Sequence, residues 1–316
     1  MTSMFEHGWY LAAFLQDLTQ PINSLPFGQK RLMAVVRDSK VRVFDDVCPH
    51  RAASLSHGGT LDGESVTCPF HGLKIGLAHA SHDGLCVKEY KTLVRGGLVF
   101  VRLSDRDTPD ITATLDELEA GFEIIPGFAL EMKTPIEVVS ENGWDPAHFR
   151  TVHKLPQQPK FESLVGPSGQ IISEGIFGIK RSGWFEHAGA GELRTTFRAQ
   201  AFSPGLVIAD LTGQPPYNYS VITGGVPHRD PTSCTIRVGL ALPRQAAKIE
   251  RFVENLLTMS RRGLEEDRIM WENLDLTAPS QLVTPADSLF VTFYEFCKKF
   301  GEPTDRRIAR TPGLER

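Results

Sequence analysis

The feature that most restricts the fold of this chain is a pair of short segments, CPHR at residues 48–51 and CPFHG at residues 68–72. They set out two cysteines and two histidines as C-x-H, 17 intervening residues, then C-x-x-H. Such a set must be presented by two loops on a rigid scaffold, where metal ligands usually project. The flanking sequence supplies one. LMAVVRDSKVRVFDD alternates apolar and polar residues around an Asp38-Ser39-Lys40 turn, and YKTLVRGGLVFVRL does so around Gly96-Gly97. Both are hairpin signals. Two thiolates and two imidazoles can hold a tetrahedral zinc ion or a [2Fe–2S] cluster. Zinc fingers usually group their cysteines on a hairpin and their histidines on a helix. Here each loop supplies one of each, so Cys48 and Cys68 can hold one iron while His50 and His71 hold the other. Gly58, Gly59 and Gly72 are expected to offer backbone amides to the sulfides without side-chain obstruction.

The remaining properties bound the function. With 316 residues the chain has room for two medium domains, and 41% apolar with 23% charged residues is ordinary for a globular core. A net charge of −4 without a basic block argues against a nucleic-acid partner. The N-terminal residues lack the pattern of a secretory signal, and no apolar run approaches the roughly 20 residues of a membrane span. The expectation is a cytoplasmic protein. Five cysteines are too few for a disulfide scaffold. Cys86, Cys234 and Cys297 are expected to be small buried hydrophobes.

Along the chain, SDRDTPDITATLDE from Ser104 is polar, is broken by Pro109 and reads as a linker. KTPIEVV reads as a strand and ENGWDPAHFRTVHK as helical; strands and turns then follow from about Leu164 to Pro243. From Gln245, apolar residues at Ile249, Phe252, Val253, Leu256 and Leu257 give the stripe of a helix packed on a sheet, with a second helical piece after Gly263. The predicted class is α+β. An all-β N-terminal domain over residues 1–110 precedes an antiparallel-sheet domain with a long C-terminal helix, of helix-grip type, over residues 111–316.

A cluster carrier would need only the first hundred residues. The second informative stretch is ENGWDPAHFRTVHK, which contains N-x-x-D-x-x-H-x-x-x-x-H at Asn142, Asp145, His148 and His153. Two histidines five apart lie about 140° apart on a regular helix, so a shared metal requires a distortion or a helix end between them. Two histidines and one carboxylate form the triad with which non-haem Fe(II) keeps adjacent positions open for dioxygen. That chemistry consumes electrons one at a time, which a cluster can store.

Together CPHR…CPFHG and the second motif resemble the Rieske non-haem iron oxygenases of α-subunit type, over essentially the whole chain and in the same order. The disulfide cysteines of respiratory Rieske proteins are replaced here by Arg51 and Phe70. The resemblance implies that Cys48, His50, Cys68 and His71 bind a Rieske [2Fe–2S] cluster, and that His148 and His153 bind a mononuclear Fe(II). It implies that Asp145 bridges an iron-ligand histidine to a cluster-ligand histidine of a neighbouring subunit, with Asn142 beside the metal. It takes the third iron ligand from GLEEDRIMWENL, with Asp267 chosen over Glu265 and Glu266. Leu264, Met270 and Trp271 are expected to seat that segment against the sheet.

The resemblance also implies a reaction. O2 is the cosubstrate, and NAD(P)H passes electrons through a separate reductase, with or without a ferredoxin, since the chain has no G-x-G-x-x-G unit. A head-to-tail homotrimer sets each cluster against its neighbour's iron. Length, catalytic motif and the ending EEDRIMWENL…FYEFCKKF are most similar to the steroid-hydroxylating group that includes 3-ketosteroid 9α-hydroxylase. The implied activity is hydroxylation of an apolar small molecule. O- or N-demethylation, desaturation and oxidative cyclisation share the same ligands, and an electron carrier with a vestigial second site is the alternative from another class. Leu73 departs from the tryptophan of many members. His79 and His82 read as solvent-facing loop residues, and Phe293, Phe296 and Phe300 as core rather than pocket.

Overall fold

The computed structural model describes residues 4–79, 84–180, 192–213, 218–303 and 308–310. Turn chemistry sets its first sheet. Asp38 (φ 49°) and Ser39 (φ 61°) join strands Lys30–Arg37 and Lys40–Asp45, with Arg37 paired to Lys40. Two consecutive positive φ angles match the right-handed twist of the strands they connect. Gly96 and Gly97 do the same between Glu89–Arg95 and Leu98–Arg102. A Cβ on Gly96 would lie 2.3 Å from the Ile124 carbonyl oxygen, so only glycine allows this turn to press against the following domain.

These strands belong to a six-stranded antiparallel sheet in the order Trp9–Phe14, Leu98–Arg102, Glu89–Arg95, Lys40–Asp45, Lys30–Arg37 and Ile22–Phe27. A four-stranded sheet of Thr60–Asp62, Ser65–Thr67, Lys74–Leu77 and Cys86–Val87 lies beside it. Met33, Phe44, Leu55, Val66, Ile75 and Leu77 fill the space between.

The segment read as a linker is one only in its first part. Helix α1, Thr112–Gly121, occupies the rest, because Leu115 and Leu118 reach a core formed with Trp9, Phe14 and Leu98. Asp110 accepts hydrogen bonds from the Thr112 amide and hydroxyl at the start of this helix.

A seven-stranded antiparallel sheet dominates the remainder, in the order Phe122–Met132, Cys234–Pro243, Asn218–Pro227, Leu206–Thr212, Glu192–Ser203, Ile171–Lys180 and Phe161–Val165. KTPIEVV is not a strand. Pro135, extended at φ −61° and ψ 149°, launches helix α2 over Ile136–Ser140. All five of its residues are buried, so packing overrides the β preference of the two valines. A 3-10 turn at Glu141–Trp144 and helix α3, Pro146–Thr151, complete the segment.

After the sheet come a short helix α4, Arg244–Ala247, and α5, Glu250–Trp271. α5 runs through Gly263 unbroken, one 22-residue helix where two pieces were expected. Helix α6, Asp287–Cys297, had no sequence signal assigned to it. It brings Phe293 and Phe296 into the core, followed by Phe300, and all three are buried, as core residues should be.

The N-terminal strand ties the two parts together. Trp9, Leu11 and Phe14 pack with Ile208, Ile222 and Ala241 of the large sheet, while Tyr10, Ala12 and Ala13 join the cluster around Trp144 and Phe293. Ser203 donates to the Trp9 carbonyl at 2.6 Å. Gly224 makes room for this strand, since a Cβ there would lie 2.8 Å from Leu11 Cβ. Cys234 and Cys297 are buried, but Cys86 is exposed, because it lies in a two-residue edge strand. His79 is exposed and His82 lies outside the described residues. Among the described residues no helix is long and apolar enough to cross a membrane.

Candidate metal centres

The two Cys/His loops are built to one plan. The Cys48 amide donates to the Ala53 carbonyl and the Cys48 carbonyl accepts from the Ala52 amide, both at 2.8 Å. Cys68 repeats this with Leu73 and Gly72 at 2.8 and 2.9 Å. In each loop the residue four past the cysteine has positive φ, 57° at Ala52 and 71° at Gly72. Folded so, the loops bury both sulfurs and leave both imidazoles exposed. The His50 and His71 ring centroids stand 4.9 Å apart.

Burial pushes the Cys48 thiol up, and the neighbouring Cys68 thiol adds to this, while the His50 and Arg51 amides aimed at its sulfur favour the thiolate. Sulfurs thus meet sulfurs and imidazoles meet imidazoles. The four do not close onto one point as a single tetrahedral ion requires; among the described residues only a second group does so. The donor set fits a two-iron cluster, with soft thiolates at the buried end and neutral imidazoles at the exposed end. Two of the three glycine amides expected to face the sulfides are turned elsewhere. Gly59 N–H is committed to the Leu55 carbonyl and Gly72 N–H to that of Cys68, so neither is available to a sulfide. Gly59 is required for closeness instead, since a Cβ there would sit 2.2 Å from Leu55 O.

Asp46 carries the first loop and escaped the sequence reading, having no distinguishing spacing. It is 2% exposed and accepts four hydrogen bonds at 2.7 Å, from the Leu55 and Ser56 amides and the Ser54 and Ser56 hydroxyls. Asp46→Ala would leave two amides unpaired in the interior, a cost on the order of 3 kcal/mol. The expected result is a cluster occupancy at most half that of the parent, measured as iron and acid-labile sulfide per chain. Full occupancy with unchanged thermal stability would show that the loop holds itself.

The second group is His148, His153 and Asp267, whose ligand atoms all lie within 4.8 Å of one another. Asp145 starts α3 by accepting the Ala147 amide at 3.0 Å, with Pro146 at the first helical position. α3 stops at Thr151. His148 therefore sits in the helix and His153 beyond its end, which removes the 140° obstacle. His148 Nδ1 meets the Asp145 backbone carbonyl. A carbonyl only accepts, so Nδ1 carries the proton and Nε2 is left with its lone pair. That Nε2 is buried and has no hydrogen-bond partner. A buried imidazole nitrogen without a donor, facing a second imidazole and a carboxylate, is the arrangement a metal ion satisfies.

The carboxylate is well defined. Asp267 is 4% exposed; its Oδ1 lies 3.2 Å from His153 Nε2, and its Oδ2 accepts from Asn142 Nδ2 at 2.8 Å. Glu265 turns to Arg268, and Glu266 contacts His153 Nδ1 at 3.1 Å. Burial lowers the His148 pKa against the pull of Asp267 and Asp145, which suits a neutral ligand. For His153 burial also acts downward, but hydrogen bonds and charge from Asp267 and Glu266 outweigh it and raise the value.

Trp271 is buried and Leu264 is packed against the core, as expected, whereas Met270 is 51% exposed and does not seat the segment. An aromatic wall stands beside the site. Phe149 lies 4.0 Å from the His148 ring and 4.8 Å from Phe177, while Phe161 stacks on Phe197 at 5.3 Å. Only Phe149 belongs to the sequence motif; the other three are assembled by the sheet.

Residues 8–91 match the Rieske [2Fe-2S] domain family. The 3-ketosteroid-9-alpha-monooxygenase oxygenase component of Rhodococcus rhodochrous is 27% identical over 235 residues, 66% of this chain and 56% of that protein. The chain spans about half the length of the curated relatives it matches. The crystal structure of dicamba monooxygenase bound to 3,6-dichlorosalicylic acid superposes with a TM-score of 0.72 at 18% identity, over 95% of this chain and 98% of that one. The oxygenase–ferredoxin complex of carbazole 1,9a-dioxygenase gives 0.69 at 16% identity, over 95% and 90%. At these identities the structural likeness establishes the fold.

Proposed function

We propose that the chain, which carries a Rieske domain and the fold of dicamba monooxygenase, is a Rieske oxygenase that uses dioxygen and externally supplied electrons to hydroxylate an apolar small molecule. The observation that carries this is the convergence of His148, His153 and Asp267 around an unpartnered Nε2. In this reading residues 1–110 hold the cluster through Cys48, His50, Cys68 and His71, and residues 111–316 hold Fe(II). When bound, a ferrous ion with three protein ligands keeps positions open for dioxygen and is supplied with single electrons from the cluster.

The chain's own residues do the rest. The Asp145 carbonyl orients His148, and Asn142 holds Asp267. Phe149, Phe161, Phe177 and Phe197 exclude water and favour an apolar substrate, consistent with the steroid named for the R. rhodochrous relative. Electrons come from NAD(P)H through a separate reductase or ferredoxin, in the cytoplasm. Asp145 serves as the bridge to a cluster histidine of the next subunit in a homotrimer.

Metal content and coupled oxygen uptake test the proposal together. About three irons per chain are expected, with substrate-dependent O2 consumption in the presence of a surrogate reductase and a product heavier by one oxygen. Loss of a methylene or of two hydrogens would redirect the chemistry to demethylation or desaturation on the same site. About two irons and no coupled uptake across a panel of sterols, steroids and aromatic ethers would leave an electron carrier.

A further inference from the structure

We infer that Glu266 is a positioning residue for the mononuclear site, fixing the His153 imidazole through Nδ1 and strengthening it as a metal donor. The inference rests on the iron-site reading above and goes beyond it, since the motif alone makes Glu266 no more than an alternative ligand. The geometry assigns it a different place. Its Oε2 lies 3.1 Å from His153 Nδ1, on the side of the ring opposite the ligand nitrogen Nε2. Its Oε1 accepts from Arg262 Nε at 3.0 Å, one helical turn earlier in α5. The carboxylate is therefore held at both oxygens, one by the ring and one by the guanidinium. Glu265 and Glu272 on the same helix are drawn to Arg268 instead, at 3.4 and 2.8 Å.

The two histidines then differ as ligands. His148 leans on a backbone carbonyl, which is neutral, whereas His153 leans on a carboxylate. A negative acceptor on Nδ1–H pushes electron density toward Nε2 and makes it the stronger donor. The same contact fixes the ring against rotation at a position beyond the end of α3, where no helix holds the backbone.

The test uses the full chain with its cluster intact and the second site emptied by chelator, titrated with Co(II) alone. Affinity is read by calorimetry and the site by the EPR signal of high-spin Co(II), the oxidised cluster being silent. Glu266→Ala suits a helix interior and leaves the fold in place; Glu266→Gln keeps the shape and removes the charge. Both are expected to bind Co(II) 10- to 100-fold more weakly than the parent, with a changed Co(II) signal and unchanged cluster absorbance. Parent-like affinity and signal in the alanine variant would deny the contact any role. The same outcome in the glutamine variant alone would deny the charge its role. A parent chain that bound no Co(II), or bound it equally after His148→Ala, would overturn the iron-site reading itself, and this inference with it.

Discussion

Asp267→Ala is expected to abolish substrate oxidation while leaving the chain red-brown with its cluster. Iron should fall from about three to about two per chain, because the triad loses its only carboxylate and two imidazoles hold Fe(II) poorly. The side chain lies inside the protein with both oxygens engaged, so its removal also strands the Asn142 amide. That structural cost is about 1–3 kcal/mol, enough to lower the melting temperature by several degrees but not to unfold a chain of this size. Asp267→Asn separates the two effects. It preserves a polar group opposite Asn142, and on the iron-site reading it should still lose most of the mononuclear iron. Cluster absorbance serves as the internal control, since Cys48 and Cys68 lie in the other core. Retention of three irons and normal turnover in both variants would remove Asp267 from the site.

The wheel of α5 explains why Asp267, chosen on the resemblance alone, turns inward while Met270 does not. Leu264, Asp267 and Trp271 fall within about 60° of one another, whereas Met270 lies about 100° from Trp271. The arc that packs on the core therefore carries Asp267 inward and leaves Met270 in solvent. Glu266 points some 100° away, and nothing local says that it meets His153. That depends on α3 stopping at Thr151 and on a long-range approach of two helical segments. The hairpins were legible because Asp38-Ser39 and Gly96-Gly97 encode positive φ directly. KTPIEVV misled because its valines answer to the large sheet and the buried Trp144, and the proline that would announce a helix start equally suits an extended chain. Asp46 and the phenylalanine wall share this character. Each is a contact between residues whose sequence separation hides the geometry.

Asp145 offers the second large effect, and its geometry allows the bridging role to be isolated. Its backbone carbonyl orients His148, a contact that no side-chain replacement removes. Its carboxylate does three visible things: Oδ1 caps α3 through the Ala147 amide, Oδ2 lies 3.8 Å from His148 Nδ1, and 48% of the side chain remains exposed to whatever approaches that surface. Asp145→Ala should therefore keep both metals and lose a cap worth about 1 kcal/mol. Single-turnover oxidation by the prereduced protein is nonetheless expected to fall at least 100-fold if, as proposed, this carboxylate links to a cluster histidine of a neighbouring subunit. Asp145→Asn decides between cap and bridge. Its amide oxygen can cap the helix as well as a carboxylate, yet it carries no charge to pair with an imidazole across a subunit boundary. A rate in the asparagine variant as low as in the alanine variant, at full iron content, assigns the loss to the bridge. Recovery to the parental rate would mean that the carboxylate matters only for starting the helix that carries His148.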